Sequence, residues 1–343
     1  MTADLVVVGG GPVGLATAIA ARLAGLEPVV LEARTGPLDK ACGEGLMPGA
    51  LAVLARLGVD PPGVPLRGFR YADSRRSVEH RFPGPAGRGV ERVALQRALA
   101  DRAVEVGVEV RRARVGAVEQ DGDGVTVAGV RARYAIGADG LHSVVRRAAG
   151  LGRPPTGRAR FGLRRHFALA PWTDLVEVHW RDGFELYVTP VREQLVSVAA
   201  LGERGLDFGA ALAAVGEIRD RIGDAPGVDA LRGAGPLLQR TERRVSGRIA
   251  LVGDAAGYLD ALTGEGLTIG FAGAEQVVAA VAAGDLAGYD RGWLRTTRAH
   301  RLATHGVLRL ATSPARRSVV PLARAVPALF GAVVDVLAKP VPR

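Results

Sequence analysis

Cysteine occurs once in this 343-residue chain, at Cys42. That excludes an intrachain disulfide framework and a cysteine-based zinc site, and points to a reducing compartment. Lysine occurs only at Lys40 and Lys339, so 43 of the 45 basic residues are arginine. The net charge of +10 is spread over arginines in ones and twos, such as Arg75-Arg76 and Arg146-Arg147, and aromatics make up only 5% of the chain. With no long basic tract and few aromatic residues to stack on bases, nucleic-acid binding is disfavoured; attraction of anionic ligands is the better reading. Long apolar runs are missing too. The most apolar stretch near the end, residues 319–338, is broken by Pro321, Arg324, Pro327 and Asp335, which argues against a spanning helix. The chain opens Met1-Thr2-Ala3-Asp4 and passes straight into Leu5-Val6-Val7-Val8, a core strand rather than a signal peptide, so a cytoplasmic location is expected.

What is present is a globular composition, 48% hydrophobic and 23% charged, enough to bury a sizeable core and to exclude disorder over most of the length. The length fits two domains, or one large α/β domain with an insertion. Residues 4–8 form a β-branched run, followed at once by Gly9-Gly10-Gly11-Pro12-Val13-Gly14, an Ala/Leu-rich stretch of helical length, and a second apolar run that ends in Glu32. The glycines meet separate geometric needs. Gly9 permits the tight turn, Gly11 lets a pyrophosphate approach the backbone, and Gly14 lets the helix pack against the strand. The helix N-terminus offers free N–H groups and the positive end of its dipole to phosphate. Glu32 follows Gly14 by 18 residues, where a carboxylate accepts ribose hydroxyls. An unphosphorylated ribose, as in FAD or NAD, suits that acid. This segment alone does not choose between the two.

Two later segments bear on the choice. Residues 134–147, Tyr-Ala-Ile-Gly-Ala-Asp-Gly-Leu-His-Ser-Val-Val-Arg-Arg, read as strand, turn and helix start. Residues 248–257 read as a strand ending in Gly253-Asp254, followed by Leu262-Thr263-Gly264-Glu265-Gly266-Leu267 and a helix over about 267–283. Taken in this order and spacing, the three motifs resemble the FAD-dependent monooxygenases typified by p-hydroxybenzoate hydroxylase, and that fold's relatives, the geranylgeranyl reductases. The resemblance covers about residues 1–285. It implies an α/β fold with a Rossmann-type FAD-binding domain, an inserted β-sheet substrate domain and C-terminal helices. It implies FAD as cofactor and NAD(P)H as a transient reductant.

By that resemblance Gly9, Gly11, Pro12, Val13 and Gly14 form the ADP-binding turn, and Glu32, with Ala33 and Arg34 beside it, the ribose end. Arg92 approaches the FAD phosphates, Asp139 supports FAD and transient NAD(P)H, and Asp254 bonds the ribityl chain. Gly264, Glu265, Gly266 and Leu267 lie beside the isoalloxazine ring. The helix that follows aims its positive end at the ring's pyrimidine edge and should stabilise a reduced, negatively charged flavin by roughly 0.3–2 kcal/mol. An ionised Glu265 facing the ring would oppose this, so Glu265 is expected to point away or to be bonded by the turn.

Two segments set this chain apart. Lys40-Ala41-Cys42-Gly43-Glu44-Gly45-Leu46 and the 264–267 turn resemble the geranylgeranyl reductases, although the aromatic-rich strand of those enzymes keeps only Tyr187 and Pro190 here. The signature strand and catalytic lysine of the halogenase relatives are absent, which argues against halogenation. Cys42 reads two ways, as a packed small residue or as a thiol lining the flavin pocket beside Gly43.

Residues 67–82 alternate as a hairpin, and 158–201 give four strand-like runs, expected to form a sheet roofing the flavin. Arg164, Arg165 and His166 are adjacent on one strand, so at most alternate ones face the pocket. Arg165 or His166 is the candidate to hold a phenolate, a carboxylate or the flavin carbonyl. The expected division is a discontinuous FAD-binding domain of 1–66, 83–157 and 241–285, a substrate domain of 67–82 and 158–240, and C-terminal helices over 286–343. Those helices are expected to pack over the domain junction; a peripheral membrane contact is the alternative use of their basic and apolar faces. The favoured activity, by resemblance, is hydroxylation of an electron-rich aromatic or polyketide-like small molecule through a flavin C4a-hydroperoxide. Reduction of isoprenoid or other C=C bonds is the runner-up, and a flavin-binding carrier without turnover is the non-enzymatic alternative. No metal site is expected.

Overall fold

The computed structural model describes residues 3–36, 38–157 and 159–342. Arg158, where the expected substrate sheet begins, lies outside the described residues. Strand β1 (Ala3–Val8), helix α1 (Pro12–Leu23) and strand β2 (Pro28–Glu32) follow one another as the glycine motif requires. Apart from Asp4 and the terminal Glu32, both strands are apolar because the sheet they enter is covered on both faces. Helices α2 (Pro48–Arg56) and α3 (Arg92–Glu105) come next, with the hairpin β3 (Gly68–Ala72) and β4 (Ser77–Arg81) between them. Strands β5 (Glu109–Arg112) and β6 (Val130–Gly137) precede the short helix α4 (Val144–Ala148).

The second half opens on β7 (Arg160–Phe167), β8 (Val176–Arg181), β9 (Phe184–Arg192) and β10 (Leu195–Glu203), then the short helices α5 (Phe208–Ala213) and α6 (Gly216–Ile222) and strand β11 (Arg232–Ala234). Strands β12 (Val245–Ser246) and β13 (Ile249–Leu251) lead to the long helix α7 (Gly266–Ala282). Helices α8 (Leu286–Thr296), α9 (Arg298–Ala311), α10 (Val319–Ala325) and α11 (Pro327–Ala338) complete the described chain.

These elements form a mixed α/β fold around two principal sheets. In the first, the order is β12-β13-β6-β1-β2-β5, with β13, β6, β1, β2 and β5 mutually parallel. The second has the order β11-β7-β10-β9-β8-β3-β4 and is antiparallel except where β8 lies parallel to β3. Alternation along its strands separates two cores, one beneath α5 and α6, the other facing α10 and α11, where Tyr71 and Phe330 meet at 4.9 Å between ring centroids. Among the described residues no single helix is long and apolar enough to cross a membrane.

The parallel arrangement positions the site. Four strands of the first sheet end on one edge, so the turn after β1, Glu32 at the end of β2, Asp139 after β6 and Asp254 after β13 converge although they are far apart in sequence. This carboxyl edge is where open α/β sheets bind ligands.

Candidate active site at the carboxyl edge of the parallel sheet

The glycines of the first turn do different work. Gly9 has φ +105, and a Cβ there would stand 2.6 Å from the Ala138 carbonyl oxygen. A Cβ on Gly14 would stand 1.9 Å from the Gly9 carbonyl oxygen, so α1 can lie on the turn only without a side chain at that position. Gly11, the N-cap of α1, has nothing within 4 Å of where its Cβ would be. Pro12 occupies the first helical position, where no N–H is needed. Open space in front of a helix N-terminus is an anion cradle.

Glu32 Oε2 accepts the Gly10 N–H at 2.8 Å, and Oε1 accepts the Arg34 N–H at 2.9 Å and its Nε–H at 3.2 Å. Burial raises its pKa, but the backbone N–H groups of Arg34 and Gly10 outweigh burial and hold the carboxyl below its ordinary range. It is thus an acceptor-only carboxylate with lone pairs to spare for ribose hydroxyls.

From Glu32 an elongated cleft of about 550 Å³ runs past Gly11, Val13 and Asp139 to Asp254, Gly266 and Leu267. Asp139 accepts from Ser143 Oγ at 2.5 Å and from the Val144 N–H at 2.6 Å, so it caps α4 while lining the cleft. Buried Arg146 ties this turn to the β13 turn: it donates to the carbonyls of Leu141 at 2.6 Å, Ala255 at 3.2 Å and Asp254 at 3.3 Å. Gln96 Nε2 donates to the Gly10 carbonyl at 2.7 Å and pins α3 to the first turn.

At its far end the cleft opens into a cavity of about 180 Å³, the two sharing Lys40, Arg92, Leu141, Asp254, Gly266 and Leu267. Its walls are mainly apolar, from Met47, Phe69, Val176, Leu201, Leu237 and Leu262, and Cys42, Gly43, Glu44 and Thr189 also face it. Thr189 donates to the Gly43 carbonyl at 2.9 Å and fixes that loop under the second sheet. Burial pushes the Cys42 thiol above its ordinary pKa, so it is a neutral wall group and not an activated nucleophile.

Residues 2–204 match the family described as FAD binding domain. The chain belongs to that family. It is 31% identical over 294 residues to a dialkyldecalin synthase of Streptomyces rugosporus, covering 79% of this chain and 63% of that one. It is 29% identical to a rifampicin monooxygenase of Streptomyces venezuelae, covering 78% and 61%. It is 33% identical to digeranylgeranylglycerophospholipid reductase 2 of Methanopyrus kandleri, covering 78% and 74%. The chain thus spans less than two thirds of the length of the first two. Among solved structures, the flavin-dependent brominase Bmp2 superposes over 98% of this chain and 94% of its own with a TM-score of 0.84, at 18% identity, a likeness of fold alone.

The residues present fit FAD. The cradle before Gly11 is open, Gly43 and Gly264 likewise have nothing within 4 Å of a Cβ, and the buried Arg92 Nε, at the join of cleft and cavity, has no partner within the protein. Glu32, Ala33 and Arg34 could hold an adenosine end, Gly11–Val13 and Arg92 a diphosphate, and the N-terminus of α7 beside Gly264, Gly266 and Leu267 the ring.

The structure corrects the strand reading on the substrate side. Arg165 does not line the cavity; its Nε donates to the Asp229 carbonyl at 3.2 Å on the other side of β7. His166 is buried behind Glu44: its Nε2 lies 2.6 Å from Glu44 Oε2 and its Nδ1 3.0 Å from Asp229 Oδ2. Burial pulls His166 down, but the bond to Glu44 and its charge outweigh it and raise the pKa, favouring an imidazolium held between two carboxylates. Arg164 is the member of the trio that faces the cavity. It is 1% exposed, donates to Asp229 and Asp39, and leaves its Nε without a partner. Alternation allowed this parity as readily as the other.

Glu44, also not singled out from sequence, has φ +60 and joins the site's parts, accepting the Arg92 N–H at 2.8 Å through the oxygen His166 leaves free. A non-glycine between Gly43 and Gly45 was the available signal. Glu265 points away from the cavity, as expected, but Thr304 of α9, not the turn, bonds it.

Proposed function

We propose that this chain is an FAD-dependent oxidoreductase, an NAD(P)H-dependent monooxygenase that hydroxylates a small aromatic or polyketide-like molecule. The observation that carries this reading is the shape and polarity of the cavity at the flavin end. It is compact and apolar-walled, and two of its lining residues carry a buried, unpartnered guanidinium nitrogen: Arg92, shared with the cleft, and Arg164, on the second sheet. A flat aromatic with one phenol or carbonyl oxygen matches that inventory; a long isoprenoid chain does not. The named relatives support the class, a rifampicin monooxygenase among them.

When bound, FAD supplies the two-electron chemistry, hydride acceptance followed by dioxygen activation. The protein's own residues bind and orient. Arg164 fixes the substrate oxygen through Nε, the apolar walls exclude water from the reacting face, and the Cys42–Glu44 loop is held against the second sheet by Thr189 and His166. Buried Arg146 keeps the α4 and β13 turns in register so that one dinucleotide spans both. Aerobic turnover of small phenols with NADH or NADPH under labelled dioxygen is the test. Label in the product supports the proposal, and reductant consumption with no label in any product overturns it.

A second reading, saturation of C=C bonds, is favoured by the 33% identity to the reductase and by Cys42-Gly43. It predicts anaerobic turnover and hydride incorporation. We also propose that the bend between α10 and α11 touches an anionic membrane surface, because Leu322, Val326 and Leu329 are exposed there beside Arg324.

A further inference from the structure

Glu265 immediately precedes α7, between two glycines of the flavin turn, yet its side chain enters neither the cleft nor the cavity above. It turns into a separate polar cleft of about 230 Å³ bounded by residues 239–244, the loop 253–260 and helices α8 and α9. Only 5% of Glu265 is exposed. Its Oε1 accepts from Thr304 Oγ1, which lies 3.0 Å from Thr263 Oγ1. A hydroxyl has one hydrogen, and that of Thr304 is committed to the carboxyl, so Thr263 donates to Thr304 and Thr304 to Glu265. Oε2 is buried without any partner. With Oε1 engaged by Thr304, Oε2 is the carboxyl oxygen left open to a proton.

The groups facing it come from every wall. Helix α9 contributes Arg301 and His305, the segment 239–244 contributes Arg240 and Arg244, and the loop contributes Asp254, Tyr258 and Asp260. Most are already engaged: Arg244 is paired with Asp290 at 2.9 Å and stacked on Trp293 of α8, and Asp260 lies 3.5 Å from Arg160. Burial raises the Glu265 pKa more than the Thr304 hydrogen bond and the charge of Arg301, which stacks on the same indole at 5.3 Å, lower it; the result is about 7.

Resting on the redox reading above, we propose that Glu265 takes up a proton from this second cleft when the flavin beyond Gly264 and Gly266 gains negative charge, and releases it when that charge is lost. Two electrons enter the flavin together with whatever proton it binds itself. One further proton leaves solvent and bonds Oε2, converting carboxylate to carboxylic acid, and re-oxidation returns it by the same route. The cause is like-charge repulsion, which raises a carboxyl pKa, and the coupling is reciprocal: the protonated acid favours the reduced flavin.

The test uses the FAD-loaded full chain. Spectroelectrochemical titration between pH 5 and 9 should show a window in which the midpoint potential falls more steeply by one proton per electron pair, roughly 30 mV per pH unit. Glu265→Gln should lose that extra slope. Reduced-minus-oxidised infrared spectra should show a carboxylic-acid carbonyl band that Glu265→Gln abolishes and Thr304→Val shifts. The band in the unaltered protein is itself decisive should Glu265→Gln fold poorly. FAD that binds and reduces without this band, or a slope unchanged in Glu265→Gln, overturns the proposal alone. A chain that retains no FAD overturns both it and the reading on which it rests.

Discussion

Gly11 and Gly14 stand one helical turn apart and answer to different constraints. Gly14→Ala would place a methyl group 1.9 Å from the Gly9 carbonyl oxygen, backbone against backbone, and nothing there can yield. A loss of about 3 kcal/mol or more in urea denaturation is expected. Gly11→Ala meets no protein atom and keeps an ordinary φ of −70, so stability should change by less than about 1 kcal/mol. Its methyl group enters the phosphate cradle instead, and FAD affinity measured by equilibrium dialysis should fall about tenfold or more. Equal stability losses in the two variants would refute this division of roles. The close packing at Gly9 and Gly14 was legible in the sequence because the spacing of the glycines carries it. The parity of β7 was not. Alternation says that Arg164 and His166, two residues apart, share a face, but which face meets the cavity depends on Asp39, Asp229 and Glu44, contributed from elsewhere in the chain. Arg164→Gln should accordingly cost about 3–5 kcal/mol, since it leaves Asp39 and Asp229 without their buried partner, whereas Arg165→Ala should cost about 1 kcal/mol or less. A reversed order in denaturation midpoints would contradict the assignment.

Helix α7 combines close packing with an N-terminus that opens on the cleft and the cavity. Its first backbone N–H groups lack partners within the helix and lie where cleft and cavity join. Its small residues permit close packing: a Cβ on Gly270 would stand 2.6 Å from Val13 of α1. The preceding Glu265 adds a pH dependence whose sign is fixed. In the unfolded chain it ionises near 4.5, and in the fold near 7. Between those values the folded state binds the extra proton, so stability falls as pH rises through the window and levels off above it. That difference corresponds to about 3 kcal/mol. His166, whose pKa is also raised, contributes stability that is likewise lost as pH rises, so absolute curves superpose the two. The difference between the unaltered chain and Glu265→Gln isolates the carboxyl: the variant should gain most of that, about 2–3 kcal/mol, relative to the parent, between pH 5 and pH 8. Parallel stability curves across that range would show the acid to be ionised throughout. The helix itself was readable from its glycine-flanked start and small-residue run. Its partner Thr304 was not, lying 39 residues away on an element whose packing no local pattern encodes.

On the scale of the whole molecule, convergence of the three motifs depends on long-range contacts such as Arg146 to the Asp254 carbonyl, 108 residues apart, and the sequence disclosed it only through the order and spacing of the motifs. The C-terminal helices pose a similar problem. Their composition allowed packing over the protein or contact with a membrane, and the fold shows one face packed and the other exposed. Val319, Val320, Ala323, Phe330 and Val334 are buried in the core beside the second sheet. Leu322, Val326 and Leu329 remain 43–53% exposed where α10 and α11 meet at a bend of 102°. A bend of this kind presents its apex without unfolding either helix, and on the proposed membrane contact the net charge of +10 would favour anionic lipid. Three partly inserted side chains, each worth at most about 1.5–3 kcal/mol, give weak and reversible binding. The full chain should therefore co-sediment with phosphatidylglycerol vesicles at low salt, much less with phosphatidylcholine vesicles, and Val326→Asp combined with Leu329→Asp should reduce binding about tenfold or more without changing the melting temperature. Binding that survives both substitutions would move the contact to another surface, and no binding to anionic vesicles would leave the bend as a packing feature of the second sheet.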